Sequence, residues 1–182
     1  MYEVEVKVPA SLDRVRDRLR ELEATPVDRV EQLDTYYDAP HRTFAETDEA
    51  LRIREERGAD GRRTELTYKG PLVEAASKSR EEVETGVDDG EAADLLFRRL
   101  GFDPAASVRK ERERYRLDGY TVTLDAVEGV GEFVEVEREA TSETLEPTRE
   151  GAFAVLERLG LDPDDQIRTS YLGLLLESRR ND

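Results

Sequence analysis

Cysteine is absent from the 182-residue chain, and histidine occurs once, at His41. Without cysteine, the protein has no disulfide, no thiolate nucleophile and no thiolate zinc ligand. The single histidine excludes a metal site built from several histidines. Aspartate and glutamate are therefore the only plentiful hard metal ligands.

Long apolar runs are also missing. The longest apolar stretch covers residues 171–176, far short of the roughly 18 residues that a membrane span needs. The chain opens with the sequence MYEVEVK, which lacks the apolar segment of a signal peptide. We therefore expect a cytoplasmic protein without a membrane segment.

Lysine is scarce in a chain that is rich in acidic residues. Asp and Glu number 44 against 28 for Lys and Arg, the net charge is -16, and four of the basic residues are lysines. An acidic surface repels phosphate backbones, which argues against nucleic acid as a partner. Abundant carboxylates with few lysines are typical of a high-salt cytoplasm, so we interpret the protein as halophilic and archaeal. The alternative, an acidic mesophilic protein of high genomic GC content, explains the arginines but explains the net charge less well.

No linker, low-complexity tract or composition break divides the sequence, so we predict a single domain over residues 1–182, built from strands and helices. Residues 2–8 alternate between apolar and charged side chains, which predicts a half-buried strand. Further strands are predicted at residues 28–38, 50–57, 62–69, 79–86, 107–117, 119–127 and 131–139. Helices are predicted at residues 12–22, 88–100, 148–159 and 169–179. In the second helix, Leu95, Leu96 and Leu100 are expected to face inward.

Eight strands with four helices fit an α+β fold in which an antiparallel sheet or barrel carries helices on its outside. A closed barrel would also leave no unpaired edge strand. If the helices cover the outer face, the charged strand faces line the interior. That interior would hold six cations (Lys7, Arg52, Arg54, Lys69, Lys110 and Arg112) and five carboxylates (Glu3, Glu5, Asp125, Glu135 and Glu137). The alternative is that these charges only form the solvent-exposed faces of ordinary strands.

A charged interior of this composition needs a ligand and metal ions to balance it. Arginines and lysines in number suit a polyanion such as a triphosphate, and carboxylates without histidine suit Mg²⁺ or Mn²⁺. The same groups serve metal-assisted phosphoryl transfer. The glycine-rich phosphate loops GxxxxGK[ST] and GxGxxG do not occur in the sequence.

Seven ordered motifs point to one family. Glu3-Val4-Glu5-Val6-Lys7 forms an ExExK motif, and the later blocks read DTYYDAP at 34–40, LRIRE at 51–55, TYKGP at 67–71, KER at 110–112, LD at 124–125 with GEFVEVE at 131–137, and SY at 170–171. Together they resemble the triphosphate tunnel metalloenzymes, also called the CYTH superfamily, which includes class IV adenylyl cyclases and thiamine triphosphatases. The resemblance covers nearly the whole chain.

The resemblance implies an eight-stranded antiparallel β tunnel that holds a triphosphate. It implies that one or two Mg²⁺ or Mn²⁺ ions bind to Glu3, Glu5, Asp125, Glu135 and Glu137. It implies phosphate contacts from Lys7, Arg52, Arg54, Lys69, Lys110 and Arg112, to which Arg80 is added on a weaker pattern match. Tyr36 or Tyr37 would position a nucleophile or leaving group. Relatives of this family are often dimers, so a homodimer is a further expectation.

Three functions remain open at this point. The motif pattern most resembles the class IV adenylyl cyclases, which convert ATP to 3′,5′-cyclic AMP and pyrophosphate. A triphosphatase acting on inorganic, thiamine or nucleoside triphosphate would use the same phosphate site. A non-catalytic binder of polyphosphate or nucleotide is the third reading, and the complete set of carboxylates argues against it.

Overall fold

The structure is a computed structural model that describes residues 2–72 and 80–181. Residues 180 and 181 are described by their backbone alone. Its strands are β1 (Tyr2–Pro9), β2 (Thr25–Asp38), β3 (Ala50–Gly58), β4 (Gly61–Leu72), β5 (Arg80–Val87), β6 (Asp103–Leu117), β7 (Tyr120–Val127) and β8 (Gly131–Ala140). Its helices are α1 (Leu12–Glu21), α2 (Gly90–Arg99), α3 (Leu145–Arg158) and α4 (Tyr171–Asn181), with short 3-10 turns at Phe44–Glu46 and Pro163–Asp165.

The eight strands form a closed antiparallel barrel in the order β1-β5-β4-β3-β2-β6-β7-β8. The barrel closes because β1 pairs with β8 on one side, where Glu5 lies opposite Glu137, and with β5 on the other, where Glu3 lies opposite Arg80. The two longest strands, β2 and β6, join the two halves of the chain. The predicted α+β barrel is therefore confirmed.

The outer wall of β1, β7 and β8 forms the main apolar core. Val6 and Val8 of β1 lie in one buried cluster with Val122 and Leu124 of β7. The same cluster contains the inner faces of α1 and α3, whose members are Leu12, Val15, Leu19, Ala152, Val155 and Leu156. Because successive side chains of a strand point to opposite faces, the charged residues between these apolar positions point into the barrel.

Helix α4 covers one end of the barrel instead of its outer wall. Val108, Val127 and Phe133 lie on the interior faces of β6, β7 and β8, and they form a buried cluster with Tyr171 and Leu175 of α4. The segment before α4 is tied to the barrel, since the backbone N–H of Ile167 donates to the carbonyl of Lys7 at 2.7 Å. One side of the apolar stripe of α4, formed by Tyr171 and Leu175, is therefore part of the buried core.

The predicted inner face of α2 is wrong. Leu95, Leu96 and Leu100 are 53%, 62% and 66% exposed, whereas Ala93 is buried. Phe97 sets the docking face, because its ring packs edge-on against Tyr37 with a centroid separation of 5.1 Å. The large ring, one turn from Ala93, fixes the rotation of this short helix and leaves the leucines outside.

Smaller differences concern element ends. Strand β4 continues through Pro71 to Leu72, beyond the predicted end at residue 69, and α3 begins at Leu145, before the predicted start at residue 148. Ser79, the expected first residue of the fifth strand, lies outside the described residues. Across the described part of the chain, we find no helix with the length and apolar character needed to cross a bilayer.

Candidate active site

The barrel encloses a tunnel of about 820 Å³. Thirteen of the fourteen residues that the sequence analysis nominated for the site line it: Glu3, Glu5, Lys7, Tyr36, Tyr37, Arg52, Arg54, Lys69, Arg80, Lys110, Arg112, Glu135 and Glu137. The fourteenth, Asp125, is fully buried behind Arg112. The barrel therefore brings the nominated residues together, while their chemical roles stay predictions.

One group of cations surrounds a carboxylate that the sequence analysis did not nominate. Asp34 of β2 is 1% exposed, and it accepts hydrogen bonds from Nε and Nη2 of Arg54 at 2.6 and 2.7 Å. Arg52 and Lys110 lie 3.7 and 3.8 Å from the same carboxylate. Burial would raise the pKa of Asp34, but the three cations outweigh it and hold that pKa below its usual range.

A second cation group surrounds Asp125. Arg112 donates from Nε and Nη2 to the two oxygens of Asp125 at 2.7 and 2.5 Å, and also from Nη2 to Glu135 at 2.6 Å. The hydroxyl of Tyr171 donates to Asp125 at 2.8 Å. Lys7 Nζ lies 4.0 Å from the centroid of the Tyr171 ring and 3.9 Å from Glu135. Both oxygens of Asp125 thus accept hydrogen bonds within this network.

Lys110 lies between the two groups. Its Nζ is 4.9 Å from the centroid of the Tyr171 ring. Burial lowers the pKa of Lys110 to about 7, and the neighbouring charges of Arg112 and Arg54 act in the same direction. An anionic ligand placed among these cations would relieve their mutual repulsion and favour the charged form of Lys110.

Carboxylates predominate on the β1, β5 and β8 side of the tunnel. Burial raises the pKa of Glu137 to about 7, and the charges of Glu3, Glu135 and Glu5 add to the effect. Burial also raises the pKa of Glu3, even though Lys69 Nζ lies 2.8 Å away. Burial is the larger cause of both shifts, and the neighbouring carboxylates of this side add to it.

The donor chemistry of this side fits a divalent metal ion. Carboxylate oxygens are the ligands that Mg²⁺ and Mn²⁺ prefer, and a divalent cation would favour the charged forms of Glu3 and Glu137. Within residues 2–72 and 80–179, no three potential ligands already converge in the arrangement of a bound metal ion. The residue types therefore fit a metal, while the choice of ligands is a proposal.

Several polar atoms on the interior faces are buried without a hydrogen-bond partner. Within the described residues these include Gln32 Oε1, Arg52 Nε and Thr123 Oγ1. An unsatisfied buried polar group destabilises a fold by about 1–3 kcal/mol. Such atoms on the inner wall are expected where a polar ligand or water completes the hydrogen bonding.

The structure also separates two tyrosines that the sequence left as alternatives. Tyr36 lies opposite Arg52 in the strand register and lines the tunnel. The side chain of Tyr37 also lines the tunnel, but its hydroxyl donates to Asp94 of α2 at 2.5 Å. The hydroxyl of Tyr37 is therefore held by α2, and Tyr36 is the better candidate for a ligand contact.

Sequence reasoning missed Glu84, which lines the tunnel, and the buried residues Asp34 and Gln32. Asp34 and Gln32 share the interior face of β2 with Tyr36, so the period-two alternation of this strand was the available signal. Glu84 alternates with Glu82 in the same way. The contacts of Tyr171 could not be predicted from the neighbouring sequence, because they depend on the packing of α4 against the end of the barrel.

Comparison with known proteins identifies the family to which this chain belongs. The model of the CYTH domain family matches residues 1–171. The chain belongs to the CYTH family. This CYTH chain is 37% identical, over 176 residues covering 96% of it and 98% of the relative, to the Methanocaldococcus jannaschii protein named "Putative adenylate cyclase MJ0240".

Solved structures agree with the CYTH assignment. The PH1819 protein of Pyrococcus horikoshii superimposes with a TM-score of 0.91 at 39% identity, covering 97% of this chain and 99% of that one. A Hippeastrum protein, HpAC1, described as a "putative adenylyl cyclase" with "a dominant triphophatase activity", gives a TM-score of 0.68 at 20% identity, with 97% and 95% covered. At that identity, the likeness of this CYTH chain to HpAC1 shows the fold alone.

Proposed function

We propose that this CYTH protein is a divalent-metal-dependent adenylyl cyclase that converts ATP to 3′,5′-cyclic AMP and pyrophosphate. The observation that carries the proposal is the division of one tunnel into two sides. Arg52, Arg54, Lys110 and Arg112 converge on one side, and buried carboxylates with raised pKa values lie on the other. A metal-bound triphosphate is the ligand that matches both sides.

The cations hold the triphosphate in this account. Arginine forks bind phosphate oxygens in two-point contacts, and lysines contribute compact charges. The proposed phosphate-binding residues are Lys7, Arg52, Arg54, Lys69, Arg80, Lys110 and Arg112. Arg52 has a buried Nε without a hydrogen-bond partner among the described residues, so it has donor capacity available for a phosphate oxygen.

The carboxylates hold the metal. Glu3, Glu5, Glu135 and Glu137 are the proposed ligands, with Asp125 added from the family resemblance. When bound, Mg²⁺ or Mn²⁺ would supply Lewis-acid stabilisation of charge on the phosphate oxygens. The Arg112 and Tyr171 hydrogen bonds to Asp125 also orient Arg112 towards Glu135, which links the phosphate side to the metal side.

The reaction is an in-line displacement at the α-phosphorus. The ribose 3′-oxygen forms a bond to that phosphorus as the bond to the pyrophosphate oxygen breaks, and the hydroxyl proton leaves to solvent or a nearby base. The cation side binds the departing pyrophosphate and takes up its increasing negative charge. Tyr36, opposite Arg52 in the register, is placed to position the nucleophile or leaving group.

The size and lining of the tunnel support a substrate with an organic group. A volume of about 820 Å³ is within the range of pockets that hold drug-sized ligands and leaves space beyond a triphosphate alone. The lining at the α4 end includes Tyr36, Phe44, Leu172 and Leu176. Aromatic and aliphatic side chains of this kind suit the planar face of a base.

A triphosphatase is the second candidate. Water would attack the terminal phosphorus of inorganic, thiamine or nucleoside triphosphate in the same tunnel, with the same cations and metal. We retain this candidate because the Hippeastrum protein of the same fold is described as having a dominant triphosphatase activity. A non-catalytic polyphosphate or nucleotide binder is the third candidate, and it would bind its ligand without needing the carboxylate side.

A product assay separates the three candidates. The protein is incubated in molar KCl with ATP, thiamine triphosphate or tripolyphosphate, each with Mg²⁺ or Mn²⁺ and with an EDTA control, and products are resolved by chromatography. Cyclic AMP with pyrophosphate is the expected result with ATP. Orthophosphate without cyclic AMP would assign a triphosphatase, and triphosphate binding without any turnover would assign the binder.

A further inference from the structure

Asp34 occupies an unusual position on the inner wall of the barrel. It lies on β2 between β3 and β6, opposite Arg54 on β3, and its neighbour on the same face, Gln32, lies opposite Lys110 on β6. Its side chain is 1% exposed. A carboxylate at this point can contact cations from both neighbouring strands.

One oxygen of Asp34 is shared by three cations. Its Oδ2 accepts a hydrogen bond from Arg54 Nη2 at 2.7 Å, and it lies 3.7 Å from Arg52 Nη1 and 3.8 Å from Lys110 Nζ. Its Oδ1 accepts from Arg54 Nε at 2.6 Å. The fork uses Nε and Nη2 of Arg54, which leaves Nη1 for another acceptor.

Stability alone does not account for this arrangement. A buried ion pair is often no more stabilising than a packed apolar pair, because both charges lose their hydration. Without Asp34, three long cationic side chains would repel one another at short range and move apart. With it, they converge on one point of the tunnel before any ligand arrives.

We propose that Asp34 is a positioning residue for triphosphate binding. It orders Arg52, Arg54 and Lys110 in the arrangement that a phosphate group requires, and it does not itself touch the substrate. Preorganised donors bind more tightly because less freedom is lost on binding. The inference rests on the proposed triphosphate site.

Charge and position make opposite predictions for a variant of Asp34. Its negative charge repels a polyanion, so if charge were its only contribution, removing that charge would tighten triphosphate binding. If Asp34 positions the cations, removing the charge weakens binding despite the gain in positive potential. The sign of the change in Kd therefore decides between the two roles.

The test measures tripolyphosphate binding by calorimetry in EDTA and KCl, so that the metal side does not contribute. The variants are Asp34→Asn, which removes the charge, and Asp34→Glu, which keeps the charge but displaces the carboxylate. Asp28→Asn is the matched control. Asp28 also lines the tunnel, but it accepts from Arg114 at 2.9 Å, away from the three cations.

We expect both Asp34 variants to bind tripolyphosphate about tenfold more weakly or worse, and Asp28→Asn to bind at least as tightly as the parent. With metal and ATP, KM should rise in the Asp34 variants by more than kcat falls. Binding by Asp34→Asn as tight as that of the parent, or tighter, would overturn the proposal. If Asp34→Asn does not fold, as judged by circular dichroism, the Asp34→Glu variant decides by the same criterion. If the parent binds tripolyphosphate only with Mg²⁺, the variants are compared under that condition by the same criterion. If the parent does not bind tripolyphosphate even with Mg²⁺, the proposed function fails instead.

Discussion

At the scale of single residues, burial opposes charge on both sides of the tunnel. Glu137 and Lys110 each have a pKa near 7, the first raised and the second lowered, and burial is the largest cause in both. Each group has neighbours of its own sign that add to the shift. Ligands of opposite sign, a metal ion for Glu137 and a phosphate for Lys110, would favour the charged forms.

Glu137 gives the metal-free protein a measurable dependence on pH. The carboxyl pKa is about 7 in the folded protein and near 4.5 in the unfolded chain, so between these values the folded state binds more protons. Its stabilising contribution is complete below pH 4.5 and is lost as pH rises through 7. In EDTA, we expect the melting temperature to fall between pH 5 and 7, and Glu137→Gln to reduce that fall. An equal fall in both proteins would exclude Glu137 as its source.

Opposite sides of the tunnel should give different kinetic signatures. Glu3→Gln removes a charge from the metal side, and we expect metal-dependent turnover to fall about 100-fold while the circular dichroism spectrum is unchanged. Steady-state kinetics over a range of Mg²⁺ concentrations measure this change. Unchanged turnover in Glu3→Gln would refute the place of Glu3 in the metal site.

Arg52→Ala removes a phosphate donor from the other side of the tunnel, and we expect KM for ATP to rise about tenfold or more. The same steady-state kinetics measure this change.

At the scale of elements, local patterns predicted the strands better than the packing of the helices. The alternation in residues 2–8 marks β1 because one face meets apolar residues and the other faces the tunnel. The docking face of α2 was mispredicted, since leucine spacing says nothing about the aromatic contact between Phe97 and Tyr37. The position of α4 depends on contacts with distant strands, which local periodicity does not contain.

Helix α4 should affect the organic part of the substrate more than the phosphates. Leu176 is 43% exposed and lines the tunnel at this end. We expect Leu176→Ser to raise KM for ATP several-fold while the Kd for tripolyphosphate stays close to that of the parent. Leu96→Ser, at an exposed leucine of α2 outside the tunnel, is the matched control. An equal effect of Leu176→Ser on both ligands would contradict this role.

At the scale of the whole molecule, the sequence predicted an eight-stranded antiparallel barrel but not the order of its strands. Eight alternating strands and covering helices indicated closure, whereas the placement of β1 between β5 and β8 requires pairings across the full length of the chain. The tunnel residues followed from the family motifs, but the shared role of Asp34 required distances. The homodimer and the single domain stay predictions.

The net charge of -16 predicts a response to salt. Repulsion among excess carboxylates disfavours the compact state, and salt screens it. We expect the melting temperature to rise by several degrees between 0.1 and 2 M KCl, measured by differential scanning calorimetry. A melting temperature that is constant or falls over this range would argue against a halophilic protein.

A metal-bound triphosphate inside the tunnel can be observed in a crystal structure with a non-hydrolysable ATP analogue and Mn²⁺, recorded with anomalous diffraction data. We expect phosphate density between Arg52, Arg54 and Arg112, with an anomalous Mn²⁺ peak beside Glu3, Glu5 and Glu137. Analogue density outside the barrel, or a metal peak away from these carboxylates, would refute this site.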